Sequence, residues 1–232
     1  DNPVFASMVE NVDTNIGKIL NTIKSLGIEK NTMVVFTSDN GGIRAISTQD
    51  PLRAGKGSYY EGGTRVPYII KWPGNIKAGT TNETPIVNMD FYPTFMEVLN
   101  IHPKNKIVDG TSLLPLIKGK NIKERALFWH FPIYLQAYSQ EKDDGRDPLF
   151  RTRPGSTIRY KNWKLHHYFE DDSIELYDLD SDIGERNNLA ESNPNKAKEI
   201  YAILDDWRKT TNAPVPTELN PEYDTNFKKT KK

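Results

Sequence analysis

The pattern of residues 4–37 constrains the fold most strongly. From Val4 to Leu26, apolar residues recur at spacings of three and four, which is the period of one helical face. Gly27 predicts the end of this helix. Met33 to Thr37 is a short apolar run rich in β-branched residues and predicts a buried strand. An amphipathic helix, a short connection and a buried strand together indicate an α/β fold.

The later segments extend this prediction to two regions. Residues 41–63 are rich in glycine and predict a loop, Val66 to Trp72 predicts a second strand, and Asp90 predicts the N-cap of a helix that ends near Leu99. Farther along, strand-like runs at Ala126–Phe131, Ser156–Phe169 and Ser173–Leu179 precede a predicted helix at Pro194–Arg208. We therefore predict an α/β region at residues 1–120 and a small C-terminal subdomain at residues 121–232, with an antiparallel sheet, one helix and an extended tail.

Composition argues against nucleic acid binding, membrane insertion and thiol chemistry. The 232 residues carry 31 basic and 31 acidic side chains, and this balance gives no support for a nucleic acid partner. No apolar run approaches the roughly 18 residues needed to span a bilayer, so we predict a soluble globular protein with no membrane partner. The sequence has no cysteine, which excludes disulfides and thiol chemistry within these residues.

Asp39 and Asn40 follow the first predicted strand directly and precede two glycines. In open α/β sheets, ligands bind beyond the carboxyl ends of parallel strands, so this position favours a binding role. A carboxylate beside an amide oxygen suits a hard divalent cation such as calcium or magnesium. Asp-Asn-Gly is equally an ordinary turn sequence, and the tetrapeptide alone leaves both interpretations open.

Lys56 lies between two glycines in "PLRAGKGSYYEGG", so no neighbouring side chain crowds an anion that approaches its ammonium group. The segment is not a phosphate-binding P-loop, because position 50 is Asp and Gly57 follows the lysine. A solvated surface lysine is the alternative interpretation.

Several long motifs in order resemble one enzyme family. The strings "NTMVVFTSDNGG", "PLRAGKGSYYEGGTRVPYIIKWPG", "MDFYPTFMEVL" and "DGTSLLPLI" resemble the later half of type I sulfatases, in the alkaline-phosphatase-like superfamily. The strings "LFWHFP", "STIRYKNWKLHHYFED" and "ELYDLDSDIGERNNLA" resemble their small C-terminal subdomain. The resemblance reaches to about residue 208 and implies the later part of an alkaline-phosphatase-like sandwich, a mixed sheet flanked by helices.

The resemblance implies roles for individual residues. Asp39 and Asn40 match two metal ligands that, with two earlier acidic residues, hold a calcium ion in this family. Lys56 matches the catalytic lysine that contacts the sulfate group and its ester oxygen. Arg44 and Arg53 lie beside these motifs and are expected to face the substrate, with bracing of the loop as the alternative for Arg53.

One departure from the family is large. The family's nucleophile is a formylglycine made from Cys or Ser in a Cys/Ser-x-Pro-x-Arg motif, and these 232 residues do not contain that motif. We therefore expect the chain to be the later portion of a longer enzyme and to be inactive alone. The upstream N-terminal portion would supply the formylglycine and the two other calcium ligands. Separation of that portion as another chain, its loss by proteolysis, and a truncated binding protein remain alternatives.

The expected function is sulfuric ester hydrolysis on a sulfated carbohydrate, a polysaccharide or its oligosaccharides. His130 in "LFWHFP" is expected to contact sugar hydroxyls or a second sulfate, with a packed structural role as the alternative. In residues 135–154, Arg146, Arg151 and Arg153 with nearby aromatics form a charged surface loop that either grips a polyanionic sugar or is plainly solvated.

Two other functions remain open from the sequence. A phosphodiesterase or phosphonate hydrolase of the same superfamily would keep the α/β core, but it typically needs a second metal with His ligands, and His is scarce near these loops. A noncatalytic sulfated-glycan-binding protein is the second alternative. By family analogy, we expect a periplasmic or secreted location.

Overall fold

A computed structural model describes residues 2–101, 107–218 and 221–222. The helices are α1 (Pro3–Ser25), α2 (Glu61–Thr64), α3 (Phe91–Val98), α4 (Leu114–Ile117) and α5 (Pro194–Thr211). The strands are β1 (Val34–Thr37), β2 (Tyr68–Lys71), β3 (Leu127–Phe131), β4 (Leu135–Gln136), β5 (Phe150–Thr152), β6 (Gly155–Tyr160), β7 (Trp163–Tyr168) and β8 (Ser173–Asp178). Within the described ranges, no helix has both the length and the apolar character needed to cross a membrane. The predicted tail beyond residue 222 lies outside the described residues.

Helix α1 confirms the first prediction. It begins at Pro3, where the Asn2 side chain accepts a hydrogen bond of 3.0 Å from the Phe5 N–H, and it ends before Gly27, whose φ is +68°. The apolar stripe of α1 is exposed, since Met8 and Ile19 keep 61% and 58% of their accessible surface. The described residues therefore leave this face without a covering layer.

Strand β1 pairs with β2 in an antiparallel two-stranded sheet, from Val34 opposite Lys71 to Thr37 opposite Tyr68. One prediction needs correction here. Phe36 is 39% exposed, so the strand is only half-buried among the described residues. The short apolar run predicted burial on both faces, but the described residues supply no layer over the Phe36 side.

Asp90 precedes α3 as predicted, but its side chain does not cap that helix. The Asp90 carboxylate is fully buried and forms an ion pair with Arg125, and it accepts hydrogen bonds from the N–H groups of Val87 and Thr111 at 2.9 and 2.8 Å. Asp90 therefore occupies the N-cap position as predicted, but Arg125 and these two N–H groups, rather than the N–H groups of α3, bind its carboxylate.

The C-terminal half contains an antiparallel four-stranded sheet in the order β3-β6-β7-β8, which confirms the predicted sheet. The single run predicted at residues 156–169 is instead two strands, and Lys161 and Asn162 form the turn between them. Lys161 adopts φ +57°, a conformation usually signalled by Gly or by Asn-Gly. The dipeptide Lys-Asn carries no such signal.

Both faces of this sheet are covered. On one face, β6, β7 and β8 pack against α5 in a core formed by Ile158, Leu165, Leu176, Ala197, Ile200 and Leu204. On the other face, Ala54 and Tyr60 pack against Tyr177 and Leu179, so the glycine-rich segment of residues 53–64 lies directly on the sheet. The domain boundary near residue 120 stays a prediction.

The two adjacent histidines of β7 show the effect of this double coverage. Adjacent side chains of a strand point to opposite faces, so a sheet covered on one face would bury only one of His166 and His167, but both are buried here. His166 lies on the side of residues 53–64 and pairs with Thr157 and Glu185, at 2.8 and 3.1 Å. His167 lies on the α5 side, where Arg208 Nη1 is 2.7 Å from its Nδ1.

A buried ionic cluster joins α2 to the sheet. The Lys164 ammonium lies 2.8 Å from Glu61 Oε1 and 3.3 Å from Glu185 Oε1, and all three side chains are at most 2% exposed. The Glu61 N–H donates to Glu185 Oε2 at 2.5 Å. Burial raises the pKa of the Glu61 carboxyl, but the charge and hydrogen bond of Lys164, together with the charges of Arg159 and Arg65, outweigh it and lower that pKa to about 2. Burial also raises the pKa of Glu185, but the same lysine, His166 and the Glu61 N–H outweigh it and lower that pKa.

These shifts predict acid sensitivity. A carboxyl whose folded pKa lies below its unfolded value stabilises the fold above the unfolded pKa, and this stabilisation is lost as the pH falls toward the folded pKa. For Glu61 the interval runs from about 4.5 to about 2. We expect the free energy of unfolding, measured by urea denaturation, to fall between pH 4.5 and pH 2.5, and to fall less in Glu61→Gln. Equal slopes for the two proteins would contradict this origin.

Candidate functional site

The two glycine-rich motifs lie side by side. The Gly41 N–H donates to the carbonyl of Gly63 at 2.9 Å, and the Lys56 N–H donates to the carbonyl of Gly42 at 2.8 Å. These bonds place the Asp39-Asn40 turn beside the loop that carries Lys56. The segment predicted as a loop at 41–63 is therefore more ordered than expected, since it contains α2 and its residues 58–63 are buried.

Glycine is required at this junction because of the close approach of two backbones. A Cβ atom at Gly41 would lie 1.7 Å from the Gly62 carbonyl oxygen. Neither backbone can move without breaking the hydrogen bonds that hold the motifs together. Contact between the motifs thus depends on the absence of a side chain.

We expect Gly41→Ala to lower the free energy of unfolding by about 3 kcal/mol, because the added methyl group overlaps a backbone oxygen. Thermal unfolding would show this as a decrease of about 6–12 °C in Tm. Gly17→Ala is the matched control, since a Cβ there meets no atom within 4 Å and alanine favours the α1 helix. Equal Tm values for Gly41→Ala and the parent protein would contradict the close packing.

Asp39 and Asn40 present oxygen atoms that the described residues leave available. Asp39 is exposed, and within the described ranges its carboxylate accepts only a long hydrogen bond of 3.4 Å from Ser38 Oγ. The Asn40 Nδ2 donates to the Gly41 carbonyl at 2.9 Å, and Ser38 Oγ donates to the Asn40 carbonyl at 2.9 Å. The local bonds fix the turn and leave the Asn40 side-chain oxygen without a protein donor among the described residues.

These oxygens fit a hard divalent cation as a partial ligand set. Across the part of the chain that the structure describes, no three His, Asp or Glu side chains converge in a cluster that could hold a metal alone. Asp39 and Asn40 could therefore supply two of the six to eight oxygens that calcium takes. The calcium prediction stays a prediction.

Lys56 lines a small pocket with Arg151 from β5. The pocket measures about 10 Å³, which is room for about one water molecule. Its walls are Arg44, Ala54, Gly55, Lys56, Ser58, Tyr138, Asp143 and Arg151. Among the described residues, the Lys56 ammonium has no ion pair or hydrogen bond, so its charge is available to an anion.

Arg44 lines this pocket, whereas Arg53 directly precedes the lining residue Ala54, and the two arginines have different partners. Arg44 forms an ion pair of 2.9 Å with Asp50 and one of 3.4 Å with Asp144. Arg53 donates to the carbonyls of Asp144, Gly145 and Glu185 at 3.0–3.3 Å and stacks over Tyr60. These contacts correspond to the bracing alternative for Arg53, and the substrate-binding roles of both arginines stay predictions.

The structure does not bring His130 together with Lys56. His130 lies on the α5 face of the sheet, while the loop of residues 53–64 lies on the opposite face. Its Nδ1 is 2.8 Å from Ser156 Oγ and its Nε2 is 2.9 Å from the Pro214 carbonyl. Burial lowers the pKa of His130. Both ring nitrogens therefore have protein partners, as the packed structural alternative expects.

The long loop of residues 135–154 is less open than predicted. It contains β4 and β5, and Asp143 and Thr152 within it are buried. Two of its three arginines are bound to carboxylates, Arg146 to Asp171 at 2.5 Å and Arg153 to Asp147 and Glu170. The sequence showed the charges but not these partners.

The sequence also did not reveal how the loop of residues 53–64 is anchored. The Tyr59 hydroxyl lies 2.9 Å from the carbonyls of Phe131 and Gly155, and the Tyr60 hydroxyl donates to Glu175 at 2.7 Å. Glu61 joins the buried ionic cluster. The string "SYYEGG" contains all three anchors, but their partners lie 72 to 124 residues away, so the string carries no signal of these contacts.

Comparison with known proteins identifies the family. Residues 3–101 match the sulfatase family model, and residues 55–210 match the model described as N-sulphoglucosamine sulphohydrolase, C-terminal. This chain belongs to the sulfatase family. The predicted resemblance to the later portion of type I sulfatases is confirmed.

Sulfatases of known sequence and structure resemble this one over most of its length. A sulfatase of Formosa agariphila is 37% identical over 91% of this chain, and an N-acetylglucosamine-6-O-sulfatase of Bacteroides thetaiotaomicron is 31% identical over 88%. The structure of Ps i-CgsB in complex with k-i-k-neocarrahexaose aligns with a TM-score of 0.71 and 29% identity, covering 86% of this chain and 41% of that one. The alkaline-phosphatase-like fold class is confirmed.

The structure of BT4656 in complex with D-glucosamine-2-N,6-O-disulfate aligns with a TM-score of 0.65 and 28% identity, covering 88% of this sulfatase chain and 39% of that protein. The chain spans 40% and 35% of the length of the two curated relatives named above. The matched sulfatases are thus considerably longer than the segment that they share with this chain.

Proposed function

We propose that this chain forms the metal-binding and lysine-bearing half of a sulfatase active site that hydrolyses sulfate esters of a sulfated glycan. The observation that carries the proposal is the backbone pairing that sets the Asp39-Asn40 turn beside the Lys56 loop. Both motifs present polar groups to solvent, and neither finds a full set of partners within the described residues. Such an arrangement suits an anionic ligand bound with a cation.

Sulfate ester hydrolysis builds negative charge on the sulfate oxygens and on the leaving oxygen, so fixed positive charge stabilises the transition state. Lys56 supplies a compact ammonium group whose flanking glycines allow close approach. The anchors at Tyr59, Tyr60 and Glu61 hold its loop on the sheet. The loop that carries Lys56 is thereby held in place and needs little movement during the reaction.

Asp39 and Asn40 would hold a calcium ion, which supplies further electrostatic stabilisation of the sulfate group when bound. The nucleophile would be a formylglycine outside these 232 residues, since the sequence has no Cys and no Ser-x-Pro-x-Arg string. This chain would contribute two cation ligands and one ammonium group to the complete site and would not turn over substrate alone.

The exposed apolar face of α1 is an argument that the enzyme has a further portion. Val4, Met8 and Val12 are each more than half exposed, and Phe36 and Ile69 are exposed on the β1-β2 sheet. Apolar faces of this extent are normally buried against another layer. An upstream N-terminal portion of the same sulfatase would supply that layer together with the two missing calcium ligands.

The substrate class rests on the relatives. One solved neighbour is in complex with k-i-k-neocarrahexaose and another with D-glucosamine-2-N,6-O-disulfate, and a curated relative is an N-acetylglucosamine-6-O-sulfatase. We infer a sulfated carbohydrate substrate for this sulfatase as well. A periplasmic or secreted location follows from the same family analogy.

The test is release of inorganic sulfate by the enzyme that includes these residues. Neocarrahexaose, D-glucosamine-2-N,6-O-disulfate and a bis-aryl phosphodiester serve as substrates, and ion chromatography measures sulfate and phosphate. We expect sulfate release that is lost with EGTA and restored by calcium. Phosphate release without sulfate release would favour the phosphodiesterase alternative. Saturable glycan binding without product would favour the binding-protein alternative.

A further inference from the structure

Among the three arginines of the loop at residues 135–154, Arg151 alone lies beside Lys56. Its Nη1 donates to the Lys56 carbonyl at 3.1 Å, and its Nε donates to the Gln136 carbonyl at 2.8 Å. The guanidinium also stacks over the Tyr138 ring, 3.7 Å from the ring centroid. Two backbone oxygens and one aromatic face therefore fix its position.

The charge of Arg151 is not neutralised within the described residues. Arg146 and Arg153 of the same loop bind carboxylates, whereas no carboxylate in the described part of the chain lies within ion-pair distance of Arg151. Its Nη2 has no acceptor there. Arg151 is partly exposed and lines the same pocket as Lys56.

Neighbouring residues leave space for the Arg151 guanidinium and hold the turn that it packs against. Gly57 adopts φ +84°, and a Cβ atom there would lie 2.9 Å from Arg151 Nη1. The buried Asp143 carboxylate accepts the Tyr138 and Ser139 N–H groups at 2.6 and 3.2 Å, which holds the turn that presents the Tyr138 ring. A fixed arginine with one free edge is suited to bind an oxyanion.

We propose that Arg151 is a specificity-determining residue that binds a second anionic group of the glycan, a sulfate or carboxylate other than the sulfate ester being cleaved. This inference rests on the proposed function of the Lys56 site. Lys56 takes the ester sulfate, and the free Nη2 edge of Arg151 takes a neighbouring anion on the same sugar or the next one. A substrate with several anionic groups would thus bind more tightly than a monosulfated one.

Two nitrogens of Arg151 already donate hydrogen bonds to backbone carbonyls. We therefore assign Arg151 to substrate binding and not to the chemical step. Arg151→Met removes the charge and keeps an unbranched apolar side chain that can pack on Tyr138. Lys142→Met is the matched control, since Lys142 is an exposed cation of the same loop and is not one of the residues that line the pocket. Both changes alter the net charge equally.

The experiment compares two substrates of the enzyme that includes this chain. One is the multiply sulfated oligosaccharide that it desulfates best, and the other is 4-nitrophenyl sulfate, which has a single anionic group. We expect Arg151→Met to raise KM for the oligosaccharide by about 10- to 100-fold, the scale of losing one charge-assisted hydrogen bond. The values of kcat for both substrates and KM for the aryl sulfate should change less than about twofold, and Lys142→Met should match the parent enzyme.

Two kinetic outcomes would overturn the proposal. An unchanged KM for the oligosaccharide would show that Arg151 does not contact it, and equal losses on both substrates would place Arg151 on the ester sulfate or in folding. If the parent enzyme releases no sulfate from either substrate, the proposed function itself fails. In that case, the Kd of neocarrahexaose measured by calorimetry tests the role of Arg151. Weaker binding by Arg151→Met than by Lys142→Met supports that role, and equal binding overturns it.

Discussion

Lys56→Ala is expected to lower kcat/KM for sulfate release by about 100- to 1,000-fold in the enzyme that includes this chain, with little change in Tm. A decrease of this size in kcat/KM is typical of losing one group that stabilises developing charge in the transition state. Stability should hold because, among the described residues, the Lys56 ammonium has no ion pair or hydrogen bond to lose. Its backbone N–H, which bonds to Gly42, is kept in the alanine variant.

Lys142→Ala is the control for Lys56→Ala, because it removes the same charge from an exposed position in the loop at residues 135–154. Steady-state kinetics with a sulfated oligosaccharide and a thermal unfolding curve for each variant give the comparison. A Lys56→Ala enzyme that keeps more than about a third of the parent kcat/KM would remove Lys56 from the catalytic machinery. A large decrease in Tm would assign Lys56 to the fold instead.

Lys164→Ala is expected to lower the free energy of unfolding by about 3–5 kcal/mol. The change leaves the carboxylates of Glu61 and Glu185 buried without their shared cation, because both side chains are at most 2% exposed. Removing one partner of a buried ion cluster costs far more than removing one from the surface. Because Glu61 anchors α2, the loop that carries Lys56 should also lose order, and kcat/KM should fall.

Lys161→Ala provides a matched comparison for Lys164→Ala. Lys161 pairs with Glu124 at 3.5 Å, and both side chains are more than half exposed. We expect a loss of less than about 1 kcal/mol for this variant. Urea denaturation at pH 7 measures both values. Losses of similar size for Lys161→Ala and Lys164→Ala would contradict a structural role for the buried cluster.

Sequence patterns predicted most elements of the fold for clear physical reasons. The apolar periods of α1 and α5, the β-branched run of β1 and the strand-like runs of β3 and β8 are local, and the structure has these elements within a few residues of the predicted bounds. The β6-β7 turn was missed because Lys161 adopts a positive φ without a glycine signal. Alternation does place His166 and His167 on opposite faces of the sheet, but both are buried because residues 53–64 cover one face and α5 covers the other.

The candidate site was predictable only in part. The motifs around Asp39 and Lys56 could be recognised from the sequence, but their contact depends on two backbone bonds between residues 14 and 22 positions apart in the chain. The position of Arg151 beside Lys56 depends on packing across 95 residues. Spacing alone could not distinguish it from Arg146 and Arg153, since all three are arginines of one charged loop.

The most direct test of the proposed site is a crystal structure of the enzyme that includes this chain, grown with calcium and an unreacted sulfated oligosaccharide. We expect a calcium ion within about 2.3–2.6 Å of side-chain oxygens of Asp39 and Asn40. The ester sulfate should place an oxygen about 2.7–2.9 Å from the Lys56 ammonium nitrogen. Calcium bound without Asp39 and Asn40, or a sulfate ester bound away from Lys56, would contradict the assignment of this chain to the sulfatase active site.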